Sequence, residues 1–274
     1  MCKEKPFSMS EVLPLKISSK DNPKFKTLLS LMDSKGRKRT GLFLVEGIRE
    51  IERALASGYH IDHWTVADTE KGDEAIGIIS KLTSAQCYSL SQPLFKQLAY
   101  RDEVVNAVAA FQIEQKNIHD ISLPENPLVI VLDGLEKPGN LGAILRSCDA
   151  AGADAILITR PQTDLFNPNL IRSSLGCFFS QQIACGTEEE VFQFLTERNI
   201  QIFSTFFEDA VDAFVPNYRL GTAFVMGGEA FGISDFWVKN NTQKIFVPMR
   251  GIADSLNVST CTAVLLYEAL RQRR

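Results

Sequence analysis

Clustered metal or disulfide ligands are missing from this chain of 274 residues. Its six cysteines stand at Cys2, Cys87, Cys148, Cys177, Cys185 and Cys261, with no CxxC pair and no regular spacing. A zinc ribbon or disulfide scaffold needs its ligands close together, so both are excluded and reduced thiols in a cytoplasmic protein are expected. His60 and His63 form an HxxH pair, but no neighbouring Cys or acid cluster completes a ligand set, and no metal is expected. No window approaches eighteen uncharged apolar residues, and the opening MCKEKPFSMSEV has no apolar signal core. Neither a membrane span nor a secretory leader is predicted. GxxxxGK[ST] is absent, which excludes nucleotide hydrolysis on a P-loop. The turn GxGxxG and its downstream ribose acid are absent too, which disfavours a dehydrogenase.

Charge is present but unevenly distributed. The net value of −4 argues at first sight against a nucleic-acid partner. Residues 1–50, however, hold eleven Lys/Arg against six Asp/Glu, a balance of +5 that leaves −9 for residues 51–274. Most of the excess lies between Lys16 and Arg39, with eight basic and two acidic residues. Charge read by segment therefore keeps an anionic partner in view.

Composition divides the chain into a basic extension at 1–40, a small α/β unit at 41–113, a linker at 114–127 and a larger α/β domain at 128–274. In the extension, Leu28, Leu29, Leu31 and Met32 fit one short helix, and the run Ser34 to Arg39 reads as a loop by its glycine and charge. The second region reads as strand Leu42–Val45, helix from Ile48 to Gly58, strand His63–Ala67, helix Glu74–Leu82 and strand Asn106–Phe111. EQKNIHDISLPENP, with two prolines, has the composition of a domain boundary. Five short apolar runs follow: Leu128–Leu132, Ala155–Thr159, Gln201–Phe206, Ala223–Met226 and Lys244–Val247. Runs without alternation are strands covered on both faces, so a mostly parallel sheet with helices on each side is predicted. Ligands bind such sheets beyond the carboxyl ends of the strands.

Three loops occupy those ends. The first, from Asp133 through Asn140, opens a helix whose Leu141, Ile144, Leu145, Cys148 and Ala151 share one face and which stops at Gly152. Arg146 falls on another face, and a solvated arginine is its plain reading; Asn140 suits an N-cap. The second, Met226-Gly227-Gly228-Glu229-Ala230-Phe231-Gly232, follows an apolar run with three glycines, which lets backbone approach a ligand. In the third, Val247 to Ser259, either Ser255 or Asn257 suits the cap of the final helix.

The segments NLGAILRSCDAAGAD, VMGGEAFGIS and VPMRGIADSLNVSTCTAVLLYEALRQ, in that order, resemble the SpoU (TrmH-like) family of RNA 2′-O-ribose methyltransferases in the SPOUT superfamily. FLVEGIREIERALASG resembles the start of the ribosomal-protein-like (L30e-like) substrate-binding domain that precedes many members, so about 230 residues fit. The chain departs from many members at Ala230-Phe231 after the glutamate, and at Val247 where Ile is common.

The resemblance implies a parallel sheet tied in a trefoil knot, a feature no pattern argument reaches, and a bent pocket for S-adenosylmethionine lined by Gly227, Val247 and Leu256. It implies catalytic roles for Arg146, Asn140, Glu229, Ser255 and Asn257. A guanidinium is a poor base because its pKa exceeds about 12, so for Arg146 orientation and alkoxide stabilisation are favoured over proton removal. A homodimer is implied, in which Arg146 reaches the partner's cofactor. RNA is the implied substrate, with ribosomal RNA of the 23S type favoured over transfer RNA; a non-catalytic RNA-binding protein of the same fold is the rival. Lys24, Lys26, Arg37, Lys38, Arg39, Arg49 and Arg172 are the candidate RNA contacts.

Overall fold

The computed structural model describes residues 13–99, 106–228, 231–240 and 242–274. It divides into two units. The first runs to Ile113 and takes in Phe166–Pro168; the second comprises Glu114–Leu165 and Asn169–Arg274.

In the first unit the elements are β1 (Leu15–Ile17), α1 (Pro23–Ser30), α2 (Ser34–Thr40), β2 (Leu42–Glu46), α3 (Ile48–Ala56), β3 (Ile61–Ala67), α4 (Glu70–Ile79), β4 (Gln86–Leu90), α5 (Gln92–Leu98) and β5 (Ala107–Gln112). The sheet order is β1-β4-β3-β5-β2. Strands β1, β4 and β3 are parallel, and β5 runs antiparallel to both β3 and β2. Phe25, Leu28 and Leu31 pack with Leu44, Leu90, Phe95 and Val108 in one core. The basic segment is thus an integral part of this unit, contributing a strand and two helices, and not an extension ahead of it.

The run Ser34 to Arg39, expected to be a loop, is helix α2. Gly36 serves close approach here: a Cβ on it would lie 1.8 Å from the Ser30 carbonyl oxygen. Arg37 is 2% exposed, and its Nη1 donates to the carbonyls of Leu31 (2.7 Å) and Met32 (3.0 Å) at the end of α1. Those are the carbonyls a helix terminus leaves without intrahelical partners. Gly41 in the left-handed region closes α2. Helix propensity was overridden by packing, and a charged side chain does interior work. Arg37→Ala should lower stability by about 2–3 kcal/mol, the range for losing buried hydrogen bonds to a charged donor, read as a lower urea midpoint. A midpoint equal to the parent's would contradict this placement.

The predicted helix at 74–82 begins earlier, because Thr69 accepts the Gly72 N–H and caps it. Three elements of this unit had no counterpart in the sequence reading, β1, β4 and α5. QCYSL is too short and polar for an apolar-run criterion, although Ser91-Gln92-Pro93 carries a cap-and-proline start signal.

The second unit contains β6 (Leu128–Asp133), α6 (Pro138–Ala151), β7 (Ala155–Thr159), α7 (Pro168–Ser173), α8 (Cys177–Ser180), β8 (Ile183–Cys185), α9 (Glu188–Thr196), β9 (Gln201–Thr205), β10 (Val211–Asp212), β11 (Thr222–Gly227), α10 (Asp235–Lys239), β12 (Gln243–Phe246) and α11 (Val258–Arg273). All five predicted strands are present, joined by the short β8 and β10. The order is β10-β12-β9-β11-β6-β7-β8, and every pairing is parallel. All residues of β6 and β7 are buried, as expected for strands covered on both faces. Val129, Val131, Leu157 and Val225 pack with Val191, Phe194 and Trp237 of α9 and α10.

The segment expected to be a linker is also structured. Residues 118–120 form a 3-10 turn capped by Asn117, and Ile118 and Ile121 are buried in the second core. At the far end of the chain, Arg273 donates to the carbonyls of Tyr218, Asn126, Pro127 and Leu220, tying α11 to the start of the sheet. Among the described residues no helix is long and apolar enough to cross a membrane, and no three metal-ligating side chains gather. His63 is buried in β3 with Nδ1 on Asp62 at 2.6 Å; burial holds its pKa below the usual histidine value despite that carboxylate.

Candidate functional site

At the carboxyl ends of β9, β11 and β12 the second unit encloses a cavity of about 640 Å³. Cavities of this size suit a cofactor or drug-sized ligand. One wall is Met226, Gly227, Gly228 and Gly232; a second is Ile245, Phe246, Val247 and Met249; a third is Ser255, Leu256, Asn257, Val258 and Cys261 from the start of α11. Thr205 ends β9, Phe206 and Phe207 follow it, and Lys137 precedes α6. Among the described residues of this lining, Lys137 is the one charged side chain, and apolar surface and backbone polar groups dominate the rest. Burial pushes the Cys261 thiol up to about 11, so it is a neutral, small wall residue at neutral pH.

The glycines are required by contact distances. A Cβ on Gly227 would lie 2.2 Å from the Gly232 carbonyl carbon and 2.3 Å from the Ile233 nitrogen. A Cβ on Gly228 would lie 2.7 Å from the Gly134 oxygen. Loop and strand end therefore pack backbone on backbone.

Asn257 caps α11: its Oδ1 accepts from the Ser259 N–H at 2.9 Å and from Ser259 Oγ at 2.7 Å. Its Nδ2 also donates to Asn140 Oδ1 at 3.4 Å, linking the first and third loops. Asn140 is not an N-cap. Lys137 holds that position because Pro138, which has the helical φ, starts the helix two residues before Asn140. Ser255 is exposed and lines the cavity. Arg146 lies on the exposed face of α6, outside the cavity lining of its own chain. The buried face of that helix is the predicted one, Leu141, Ile144, Leu145, Cys148 and Ala151, ending at Gly152 in the left-handed region. Helix α6 packs against α11. Glu229 lies outside the described residues.

The basic candidates separate. Lys24, Lys26, Lys38, Arg39 and Arg49 are exposed. Of these, Lys26 pairs with Asp21 at 2.9 Å and Arg49 with Glu50 at 2.6 Å. Arg172 is half-buried, with Nη2 on Asn169 Oδ1 at 2.5 Å. Arg37 is not available to RNA, because it is buried on the carbonyls of α1. Sequence reasoning missed the aromatic wall at Phe206 and Phe207 and the wall residues Met226, Met249 and Cys261. Phe206 and Met226 closed apolar runs already read as strands, so their position after a sheet end was the available signal.

Comparison with known proteins bears on the same segments. Residues 127–267 match the model of the SpoU rRNA Methylase family, and residues 22–109 match an MRM3-like substrate binding domain. The chain is 28% identical to the 23S rRNA (guanosine(2553)-2′-O)-methyltransferase RlmP of Bacillus subtilis, over 92% of this chain and 97% of that one. A solved RNA 2′-O ribose methyltransferase is 35% identical, with a TM-score of 0.80 over 94% of this chain and 99% of the other. The SpoU methyltransferase AviRb of Streptomyces viridochromogenes, solved in complex with AdoMet, is 26% identical, with a TM-score of 0.85 over 92% and 98%. The glycine loop, the third loop that forms the cavity walls and the helix carrying Arg146 all lie within the matched stretch, and the chain belongs to the SpoU rRNA methylase family.

Proposed function

We propose that this protein transfers a methyl group from S-adenosylmethionine to a ribose 2′-hydroxyl of ribosomal RNA of the 23S type. The observation that carries the reading is the cavity in which Gly227, Val247 and Leu256 converge from three separate segments. Its volume, its apolar walls and the backbone brought near by the glycines fit an adenosine-sized cofactor better than a multiply charged ligand. Bound there, S-adenosylmethionine supplies a methyl group already activated on a sulfonium. The protein then has to align the hydroxyl and provide for its proton.

Asn140, Asn257, Ser255 and Glu229 hold the ribose and loop geometry by hydrogen bonds. Arg146 orients the hydroxyl and stabilises the developing alkoxide. Its exposed position outside its own chain's cavity supports a homodimer in which each arginine completes the partner's site. The trefoil knot that the resemblance implies is part of this reading; in its support, the segment after β12 lines the same cavity as the glycine loop before α11 packs on α6. The first unit, an L30e-like domain by its resemblance, binds RNA with Lys24, Lys38 and Arg39 as phosphate contacts and Lys26 and Arg49 as secondary ones, while Arg172 of the second unit is a further secondary contact. The protein works in the cytoplasm.

Tritiated-methyl transfer onto ribosomal RNA from a strain lacking the enzyme tests this directly, with ribose-methylation mapping to find the nucleotide. A protein that incorporates no label and shows no heat of binding with S-adenosylmethionine is the non-catalytic rival. In the same preparation, the triple variant K24A/K38A/R39A should bind RNA at least tenfold more weakly. Its log–log salt slope should be shallower by about 2, since each lost phosphate contact removes about 0.7–0.9. An unchanged slope would place the RNA elsewhere.

A further inference from the structure

Asp133, the last residue of β6, is fully buried. Its carboxylate accepts four donors. Oδ1 takes Thr159 Oγ1 at 2.9 Å and Arg160 Nε at 2.8 Å; Oδ2 takes Arg160 Nη2 at 2.7 Å and the Ser234 backbone N–H at 2.7 Å. Its backbone carbonyl accepts the Gly228 N–H at 3.1 Å. One residue therefore holds both ends of the glycine loop, the first through its main chain and the last through its side chain. Between them the Gly232 N–H donates to the Gly228 carbonyl at 2.9 Å and closes the neck.

Two further groups steady the carboxylate. Arg160 grips it with two parallel bonds from a left-handed backbone (φ 48°), a region sparsely used by residues other than glycine. Glu188, at the start of α9, lies 3.5 Å from Arg160 Nε and also accepts from Ser234 Oγ. Ser234 is thus tied twice, through N–H to Asp133 and through Oγ to Glu188.

Stability is a poor reason for this arrangement, because a buried ion pair is often replaceable by apolar side chains without loss. Geometry is a better one. We propose that Asp133 is a positioning residue for the cofactor cavity: by holding Gly228 and Ser234 together it sets the wall formed by Gly227, Gly228 and Gly232. Arg160 and Glu188 set the carboxylate and the loop end in turn. The binding part of this inference rests on the cavity being the S-adenosylmethionine site; the anchoring part does not.

Asp133→Asn retains the shape of the side chain but cannot present two oxygens to four donors. Two measurements are made on the full chain, amide hydrogen exchange and calorimetric titration with S-adenosylmethionine. Exchange at Ser234 and Gly232 should accelerate at least tenfold while Ile156 and Leu157 in β7 keep their rates, and the Kd should rise at least tenfold. A merely structural role predicts a uniform change across the sheet and an unaltered Kd in the folded protein. Should the Asn variant not fold, Glu188→Gln, which leaves Asp133 and Arg160 intact, should speed Ser234 exchange severalfold. Parent-like exchange at Ser234 in whichever variant folds overturns the proposal. If the parent itself binds no S-adenosylmethionine, the cofactor reading fails while the exchange result still decides the anchoring.

Discussion

Arg146→Ala should lose methyl transfer by about 10²–10³-fold or more, the loss typical of removing one transition-state donor, while its Kd for S-adenosylmethionine stays within about twofold of the parent's. The split follows from position. Arg146 is on the exposed face of α6 and contributes nothing to the cavity lining, so removing it leaves the cofactor walls whole. The buried face that holds α6 in place, Leu141, Ile144, Leu145 and Cys148, is equally untouched. In the proposed mechanism, what disappears is the guanidinium fork that orients the hydroxyl and the oxyanion forming from it. Tritiated-methyl transfer and calorimetry on the same preparation measure the two quantities. Near-normal turnover would remove Arg146 from the mechanism. A large loss of cofactor affinity would mean that it acts on the cavity.

Gly227→Ala has the opposite signature. Its new methyl group would meet the Gly232 carbonyl carbon at 2.2 Å and the Ile233 nitrogen at 2.3 Å. Both obstacles are backbone, so no rotamer change relieves them. Overpacking of this kind costs about 1–3 kcal/mol, and relief requires the loop to move away from the cavity. Cofactor affinity should therefore fall by about a hundredfold or more, equivalent to roughly 2.7 kcal/mol, together with a lower urea midpoint. Gly77→Ala in α4 is the control, since nothing lies within 4 Å of its Cβ; there the helix should gain up to about 1 kcal/mol. If Gly227→Ala binds S-adenosylmethionine as the parent does, the tight packing of strand end against loop is not what shapes the site.

The two variants separate what composition and pattern make visible from what contact makes visible. Strands β6, β7 and β11 were legible because each is a short apolar run buried along nearly its whole length, and β9 and β12 because a shorter apolar stretch in each is buried at its centre or end. The buried face of α6 and its stop at Gly152 were legible for the same reason, through the helical period and a residue suited to a left-handed stop. The three loops and the family they resemble were legible in residue order, since Gly227, Val247, Ser255, Leu256 and Asn257 stand together in short segments and line one cavity. Elements with weak local signals were not. Strand β4 is polar, and α2 contains a glycine among charges, so both depend on partners elsewhere in the first unit. The segment 114–127 has loop composition, yet two isoleucines within it reach the second core.

Charge shows the same division. A count by segment located the basic excess correctly, but it could not distinguish Lys38, which is exposed, from Arg37, which is 2% exposed and spends its donors on α1. Residue type sets what a side chain can do, and its partners set what it does.

By itself the sequence determined the class of the larger domain, the order of its strands along the chain and the segments from which the site is drawn. Those are local properties, written in hydrophobic period and short motifs. Only the tertiary structure decided that the glycine loop hangs at both ends from Asp133, that Asn257 meets Asn140 across 117 positions of chain, and that Phe206 and Phe207 complete the cavity. Those contacts join residues far apart in sequence, and such proximity is created by packing, not by any neighbouring residue.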